Sequence, residues 1–454
     1  LTTNLVSYWK LNEKDGTRSD SHGTNHFTST TRCQSINALG IVSKTAADGD
    51  PVSQWNDQSA NSRHLQAITA AGNPYQDYRP LYIASGLNGL PTLRFHGREQ
   101  TLKRTFTLAQ PVHHFILVKP HNWGVNAFII DGNTENAMAL KGVTSVPTFG
   151  LNAGSVGPTA SLPIKRWSIV EACFNGASSF IRVNGGTKVT VDAGSATTAG
   201  LWLALDGSND LGSEYSKHPD VEFAELFAAN TPQSDADATL LRRGLTSKWG
   251  GGVEGVNWPA WAPDKLVVMD GNSLNAGFAS GVGRGPLVSA LATLGPTWDG
   301  MEITYGGKVL ADSRSEFDTR ATWAYNASRT KNVYCTLLMA DQLTDASGNT
   351  AQQAWDAYAL HLAELRAVGW KVVAMTPPPF LVAIAGAGYE ARRQSFRTIA
   401  LAATSTYDAI VDIGANANIG TVSGGEPPTV DSLYRDGDRT HWSYIGAAEL
   451  GGMY

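Results

Sequence analysis

The chain has 454 residues, 42% of them hydrophobic and 17% charged, with a formal net charge of −5. That length suits two or three domains with sizeable cores, and the composition excludes a globally disordered chain. The charge is too mild, and too free of long Lys/Arg runs, for a nucleic-acid partner, and no apolar stretch approaches the ~20 residues that span a bilayer.

The N-terminus, LTTNLVSYWK, carries neither a basic region nor an apolar one, so no signal peptide is legible. From there to about residue 250 the chain reads as β. Short β-branched and aromatic runs alternate with turn signals: TLRF (92–95), HHFILV (113–118), AFII (127–130), WSIVEACF (167–174), SFIRV (179–183) and LWLAL (201–205). Asn184-Gly185 separates SFIRV from TKVTV, and both residues tolerate the positive φ of a type I′ hairpin turn. Many short strands with few helical periods predict an all-β sandwich. Cys173 and Cys335 lie in strand-like runs and are expected to be buried thiols. Cys33 stands alone, and no cysteine has the spacing of a zinc site or a disulfide framework.

The stretch GGVEGVNWPAWAPD (250–263) is rich in Gly, Pro and Trp and reads as a short linker packed by its tryptophans. Beyond it the period changes. LVVMDG (266–271), NVYCTLLMA (332–340), WKVVAMTPP (370–378) and AIVDIG (409–414) are short apolar strands. Helices are predicted between them, one carrying Trp355, Tyr358, Ala359, Leu362 and Leu365 or Arg366 on a single stripe, another running from about Glu390 to Thr404. Strand–helix alternation predicts βαβ units and a parallel sheet covered on both faces.

Two histidines fall in this second half. His361 is expected to be a solvated residue of the first helix, off its apolar stripe. His441, in DRTHWS, follows Asp438 by three positions. Asp-x-x-His can set the carboxylate against Nδ1 and leave Nε2 free to accept a proton, though the spacing also arises by chance. A nucleophile for such a base is offered by DGNSLNAG (270–277), where Ser273 directly follows a strand, at the end of a parallel sheet that binds ligands. The turn is neither a G-x-S-x-G elbow nor a phosphate loop of the G-x-x-x-x-G-K-[ST] kind.

In this order the two motifs resemble those of the SGNH (GDSL-like) hydrolases, whose first block is typically Gly-Asp-Ser-Leu and whose last is Asp-x-x-His. The resemblance covers about residues 264–454 and implies an α/β/α three-layer, flavodoxin-like domain with a parallel sheet. It assigns Ser273 as nucleophile, His441 as base and Asp438 as its orienting partner, with no metal or organic cofactor. The first block here reads Gly271-Asn272-Ser273-Leu274, so Asn replaces the usual Asp. The family's second-block glycine falls in YGGKVLADS (305–313), at Gly307, with Gly306 as the alternative. Its third block, normally Gly-x-Asn-Asp, is matched by Ala340-Asp341-Gln342-Leu343. The resemblance therefore implies an oxyanion hole of the Ser273 and Gly307 N–H groups and the Gln342 amide, although Gln342 could equally point to solvent. Asn272, Phe380 and Trp442 are candidates for substrate contact, the last two equally for core.

The first half resembles laminin-G-like or concanavalin-like jelly rolls, through DGDPVSQWNDQSANSRHL (48–65), SGLNGLPTLRF (85–95) and AELFAANTPQSDADATLLRRGLTSKWG (224–250). Residues 1–40, with NLVSYWKLNEKDGTRSDSHGTNH (4–26), look like a partial laminin-G-like unit before the sandwich at 41–250; residues 251–263 are the linker and 264–454 the hydrolase domain. Such domains bind glycans or only pack. Three functions follow: an esterase acting on an acetylated glycan, a broad short-chain ester or lipid hydrolase, and a non-enzymatic adhesin with a degenerate hydrolase domain. The pairing is expected outside the cell, secreted or virion-borne.

Overall fold

The computed structural model describes residues 5–10, 47–59, 61–68, 78–96, 100–124, 126–143, 147–205, 219–250, 263–271, 286–295, 297–304, 309–337, 340–420 and 453. The chain divides into two compact units, one of Leu1–Thr69 and Tyr78–Trp261, the other of Ala70–Asp77 and Ala262–Tyr454. The expected linker tryptophans, Trp258 and Trp261, and Cys33 lie outside the described residues.

The first unit holds two eight-stranded sheets. One runs in the order Val189–Thr190, Phe180–Val183, Ser168–Phe174, Val112–Pro120, Asp220–Ala229, Leu90–His96 and Leu81–Leu87. Its remaining strand, Leu5–Lys10, pairs antiparallel with the end of Asp220–Ala229. The other runs Val156–Ser161, Thr148–Ala153, Ala137–Gly142, Phe128–Asp131, Thr198–Leu203, Leu102–Leu108, Leu65–Ala67 and Gln54–Trp55. Every one of the six runs read from the sequence overlaps one of these strands, to within two residues at its ends. The hairpin at Asn184-Gly185 also forms. Both residues have positive φ, 50° and 69°, and the Gly186 amide donates to the Val183 carbonyl at 2.9 Å.

The strand Ser168–Phe174 is buried along both faces, so each face needs a covering layer. On one side lies a helix that the sequence reading passed over, Asp235–Trp249, whose Leu245 and Trp249 pack with Leu117, Trp167 and Ile169. Its signals were present: Ser234 caps it by accepting from the Asp237 amide at 3.1 Å, and Gly250 ends it at a φ of 73°. Under this helix the sheet carries buried charge. Glu171 bonds Arg242, and Arg182 and His113 each stand 3.8 Å away from it. Burial raises the Glu171 carboxyl, and the two guanidiniums only partly offset it.

The second unit is a five-stranded parallel sheet in the order Trp298–Glu302, Lys265–Asp270, Lys331–Leu337, Lys371–Met375 and Ala409–Val411. Four of these strands are the apolar runs read from the sequence. The fifth, WDGME at 298–302, has too little apolar character to be read. It is an edge strand, and at Gly300 a Cβ would come within 2.6 Å of Leu291, so the helix Pro286–Leu294 lies closely against it. That helix covers the face formed by Val267, Met269 and Cys335. The opposite face meets the helices Ala351–Val368 and Tyr389–Ala402 through Tyr334, Tyr358 and Phe396. Thr350 and Gln353 close the first of these with a reciprocal capping box. Cys173 and Cys335 are buried, free thiols as expected, each pushed up to about 12 by burial.

The first unit has a built-in acid sensitivity. Adjacent His113 and His114 are buried, and desolvation lowers them to about 3 and about 4. Both are neutral in the fold, and His113 Nδ1 accepts from the Gln233 amide at 3.1 Å. Between about pH 6.5 and pH 4 the unfolded chain therefore binds more protons than the folded one, so stability is present above 6.5 and drains away as pH falls. The limiting slope for two protons is about 2.7 kcal/mol per pH unit, reduced by the raised Glu171 carboxyl, which acts in the opposite sense. Urea titrations of the full chain at pH 7, 6 and 5 should show the first unit's midpoint falling at each step. A midpoint that held constant would mean that these imidazoles are solvated.

Candidate active site

In chain order the parallel strands lie 2-1-3-4-5 across the sheet. The crossover from the first strand therefore goes one way and that from the third the other, so the strand order reverses between Lys265–Asp270 and Lys331–Leu337, the place where open α/β sheets as a class bind ligands. Asp270 and Gly271, at the first of these ends, are buried. Asn272 and Ser273, the next two residues, lie outside the described residues, as do Gly306, Gly307, Asp438, His441 and Trp442. Of the residues proposed from sequence, Gln342 and Phe380 are described.

Gln342 sits in the 3-10 turn Ala340–Leu343, directly beyond the central strand. Asn349 donates to its side-chain oxygen at 3.3 Å, and Ser347 to its backbone carbonyl at 3.0 Å. The turn is pinned from outside as well. Arg392 donates to the Leu343 carbonyl at 2.8 Å and pairs with Asp345, whose carboxyl it holds below the usual range.

Phe380 is half-buried and edge-on to Tyr389, with ring centroids 5.6 Å apart, and it packs against the cluster of Leu337, Met375, Val411, Ile413 and Ile419. Its ring thus belongs largely to the core beneath the Thr376–Pro379 loop. More exposed apolar groups follow it: Val382 at 38% and Ile384 at 56%, on the short helix Val382–Ala385, which contacts the Gln342 turn.

Two anchors hold the far side of this edge. Arg393 is fully buried, is paired with Glu390 at 2.7 Å, and donates to the carbonyls of Pro377 and Gly420, each at 3.3 Å. Gly420 is the last residue described before the segment that carries Asp438 and His441. Asp412, beyond the last strand, accepts two bonds of 2.7 Å from Arg397 and one of 3.2 Å from Thr376. Burial pushes its carboxyl up, but the Arg397 pair outweighs burial and the group lies below the usual range.

His361 departs from the sequence reading. It is not solvated; its relative exposure is 0%. Positions 358, 361 and 365 fall on one helical stripe, and the arc is wider than apolar residues alone mark out, because what His361 faces is polar. Its Nε2 lies 3.9 Å from Asp270 Oδ2 and its Nδ1 3.8 Å from Glu364. Asp270 was also missed. An acidic residue closing the apolar strand LVVMD was the available signal, since a buried carboxylate requires partners.

No family model matches the sequence, and no curated protein matches it. Among solved structures, the native aryl esterase of M. smegmatis is similar at 13% identity, over 41% of this chain and 95% of its own, with a TM-score of 0.33. A member of the lipolytic G-D-S-L family from Veillonella parvula is similar at 11% identity, over 42% and 95%, with a TM-score of 0.32. Est24, a carbohydrate acetylesterase from Sinorhizobium meliloti, is similar at 16% identity, over 41% and 94%, with a TM-score of 0.32. The neighbours are SGNH/GDSL-type hydrolases; identities this low transfer no residue roles.

Arg393→Ala should destabilise the second unit by about 2–3 kcal/mol, the scale of losing charge-assisted bonds to buried acceptors. Differential scanning calorimetry would read this as a lower transition for one unit and an unchanged one for the other. Equal transitions in variant and parent would mean that the two carbonyls find other donors.

Proposed function

We propose that the second unit is a serine ester hydrolase in which Ser273 attacks the ester carbonyl, His441 takes its proton and Asp438 orients His441. One observation carries the reading. The strand Lys265–Asp270 ends at the point where strand order reverses, and the sequence that leaves it is Gly271-Asn272-Ser273-Leu274. A hydroxyl there stands where parallel α/β sheets present ligands to catalytic groups. Backbone N–H groups of Ser273 and Gly307, with the Gln342 amide, would receive the developing oxyanion. The pinned Gln342 turn supports the last of these, because a donor helps catalysis only if it is already oriented.

The substrate we favour is an acetylated glycan, with the first unit, read as a laminin-G-like or concanavalin-like jelly roll, holding the polymer. The exposed Val382 and Ile384 favour a second reading, a short-chain ester or lipid hydrolase with an apolar acyl or alcohol group against that helix. Replacement of the family's third-block glycine and asparagine by Ala340 and Gln342 favours a third, a glycan-binding adhesin whose hydrolase domain has lost its chemistry.

Hydrolysis of p-nitrophenyl acetate separates the third reading from the others. Wild type should turn over, and Ser273→Ala should lose about 10⁴-fold or more in kcat with its thermal transition retained. Activity retained in the variant would remove Ser273 as nucleophile. A panel of acetylated polysaccharides and long-chain esters then separates the first reading from the second. Gln342→Ala should lower kcat by about 10²-fold with KM nearly unchanged, as expected for a bond made chiefly in the transition state; unchanged kinetics would leave the hole with two donors.

A further inference from the structure

The carboxylate of Asp270 is fully buried at the end of the strand that leads to Ser273. Three elements converge on it. Ser313, on the helix Leu310–Ser315, donates to Oδ1 at 3.2 Å. Tyr334, on the strand Lys331–Leu337, donates to Oδ2 at 2.9 Å. His361, on the helix Ala351–Val368, stands 3.9 Å from Oδ2. The chain of polar groups continues outward, because His361 neighbours Glu364, which accepts from Arg314 at 2.6 Å and 3.1 Å, and Arg314 follows Ser313 on the same short helix. Burial, and then the neighbouring Asp270, push the Tyr334 hydroxyl well above its ordinary range, so it remains a donor.

These elements are the stems of the proposed oxyanion hole. The helix Leu310–Ser315 follows the segment with Gly306 and Gly307, and the strand Lys331–Leu337 precedes the Gln342 turn. On the basis of the proposed hydrolase reading, we infer that Asp270 is a positioning residue: its buried carboxylate sets the first strand's end, the Gly307 helix and the Gln342 strand in mutual register, and thereby the distance between nucleophile and oxyanion donors. A carboxylate suits the task because it only accepts, so the Ser313 and Tyr334 hydroxyls are both forced to donate inward. A misplacement of about 1 Å between reacting groups is worth about 10²-fold in rate.

The test is Asp270→Asn, with Ser313→Ala and Tyr334→Phe as variants that remove one bond each. In Asp270→Asn, kcat for p-nitrophenyl acetate and the rate of Ser273 labelling by a fluorophosphonate should both fall by about 10–100-fold, with KM within about twofold of the parent. Each single-bond variant should lose several-fold, and neither loss should simply add to that of Asp270→Asn, since the asparagine keeps one acceptor oxygen, which can serve only one of the two hydroxyls as the parent carboxyl does. Folded variants with parental kcat and labelling rate would overturn the inference, as would a loss confined to KM. Should Asp270→Asn fail to fold, the two single-bond variants decide by the same criteria. If the wild type hydrolyses no ester and takes no label, the hydrolase reading falls instead, and amide exchange then judges the register alone. Protection of the Leu310–Ser315 and Lys331–Leu337 amides should drop together in Tyr334→Phe, whereas parental protection in both would refute the junction.

Discussion

Parallel strands cannot be joined by a tight turn; each must cross over the sheet before the next can pair with it. Everything in the second unit follows from that constraint. The crossovers become covering helices, the strands become buried on both faces, and the connections that leave the carboxyl ends all gather along one edge. Because the order across the sheet is 2-1-3-4-5, the strand order reverses between the first and third strands, where sheets of this class bind their ligands. Such an edge brings distant segments together without fixing them, and here polar side chains do the fixing. Asp270 gathers hydroxyls from two elements, Arg393 gathers carbonyls from two loops, and Arg392 pins the turn of Gln342.

Much of this fold was legible because apolar runs of the right length and period have few alternatives. LVVMDG, NVYCTLLMA, WKVVAMTPP and AIVDIG all became parallel strands, and Asn184-Gly185 became the turn that its backbone freedom predicts. What escaped was settled by contacts rather than by composition. Trp298–Glu302 is a strand because a helix lies against Gly300, and nothing in WDGME announces it. His361 looked like a surface residue because imidazole is ambiguous until its surroundings are known, and the carboxylate that it faces comes from a strand ninety positions away. The proposed site divides along the same line. Gly271-Asn272-Ser273-Leu274 and Asp438-x-x-His441 are a reading of the sequence that lies, past Gly271, outside the described residues, whereas the supports of the Gln342 turn, Arg392, Asn349 and Ser347, come from loops and a helix and have no pattern of their own.

The first unit places buried charge differently. Glu171, Arg242 and Arg182 lie between a sheet and the helix Asp235–Trp249, and Glu225 meets Lys248 and Trp249 near that helix's end. Ion pairs of this kind seldom add much net stability, because desolvation cancels most of their attraction. They do penalise the wrong alternative. A helix rotated by one residue would leave Arg242 or Glu171 buried without a counter-charge, so these contacts define which face of an otherwise weakly amphipathic helix lies down.

The strand Asp220–Ala229 occupies the middle of its sheet, beside Val112–Pro120 along one edge and beside Leu90–His96 and Leu5–Lys10 along the other. It is also the last strand of its unit to be made. A ribosome working at roughly 5–20 residues per second takes about 6–25 seconds to pass from the Leu90–His96 strand to its partner. Through that interval the strands on either side present open backbone edges and apolar faces with no neighbour between them. The parallel sheet waits less, its longest gap between paired strands being the one from Lys265–Asp270 to Lys331–Leu337. A stop codon placed before Asp220 would therefore leave a fragment with two unmatched sheet halves, whose open edges are the kind that pair with other copies.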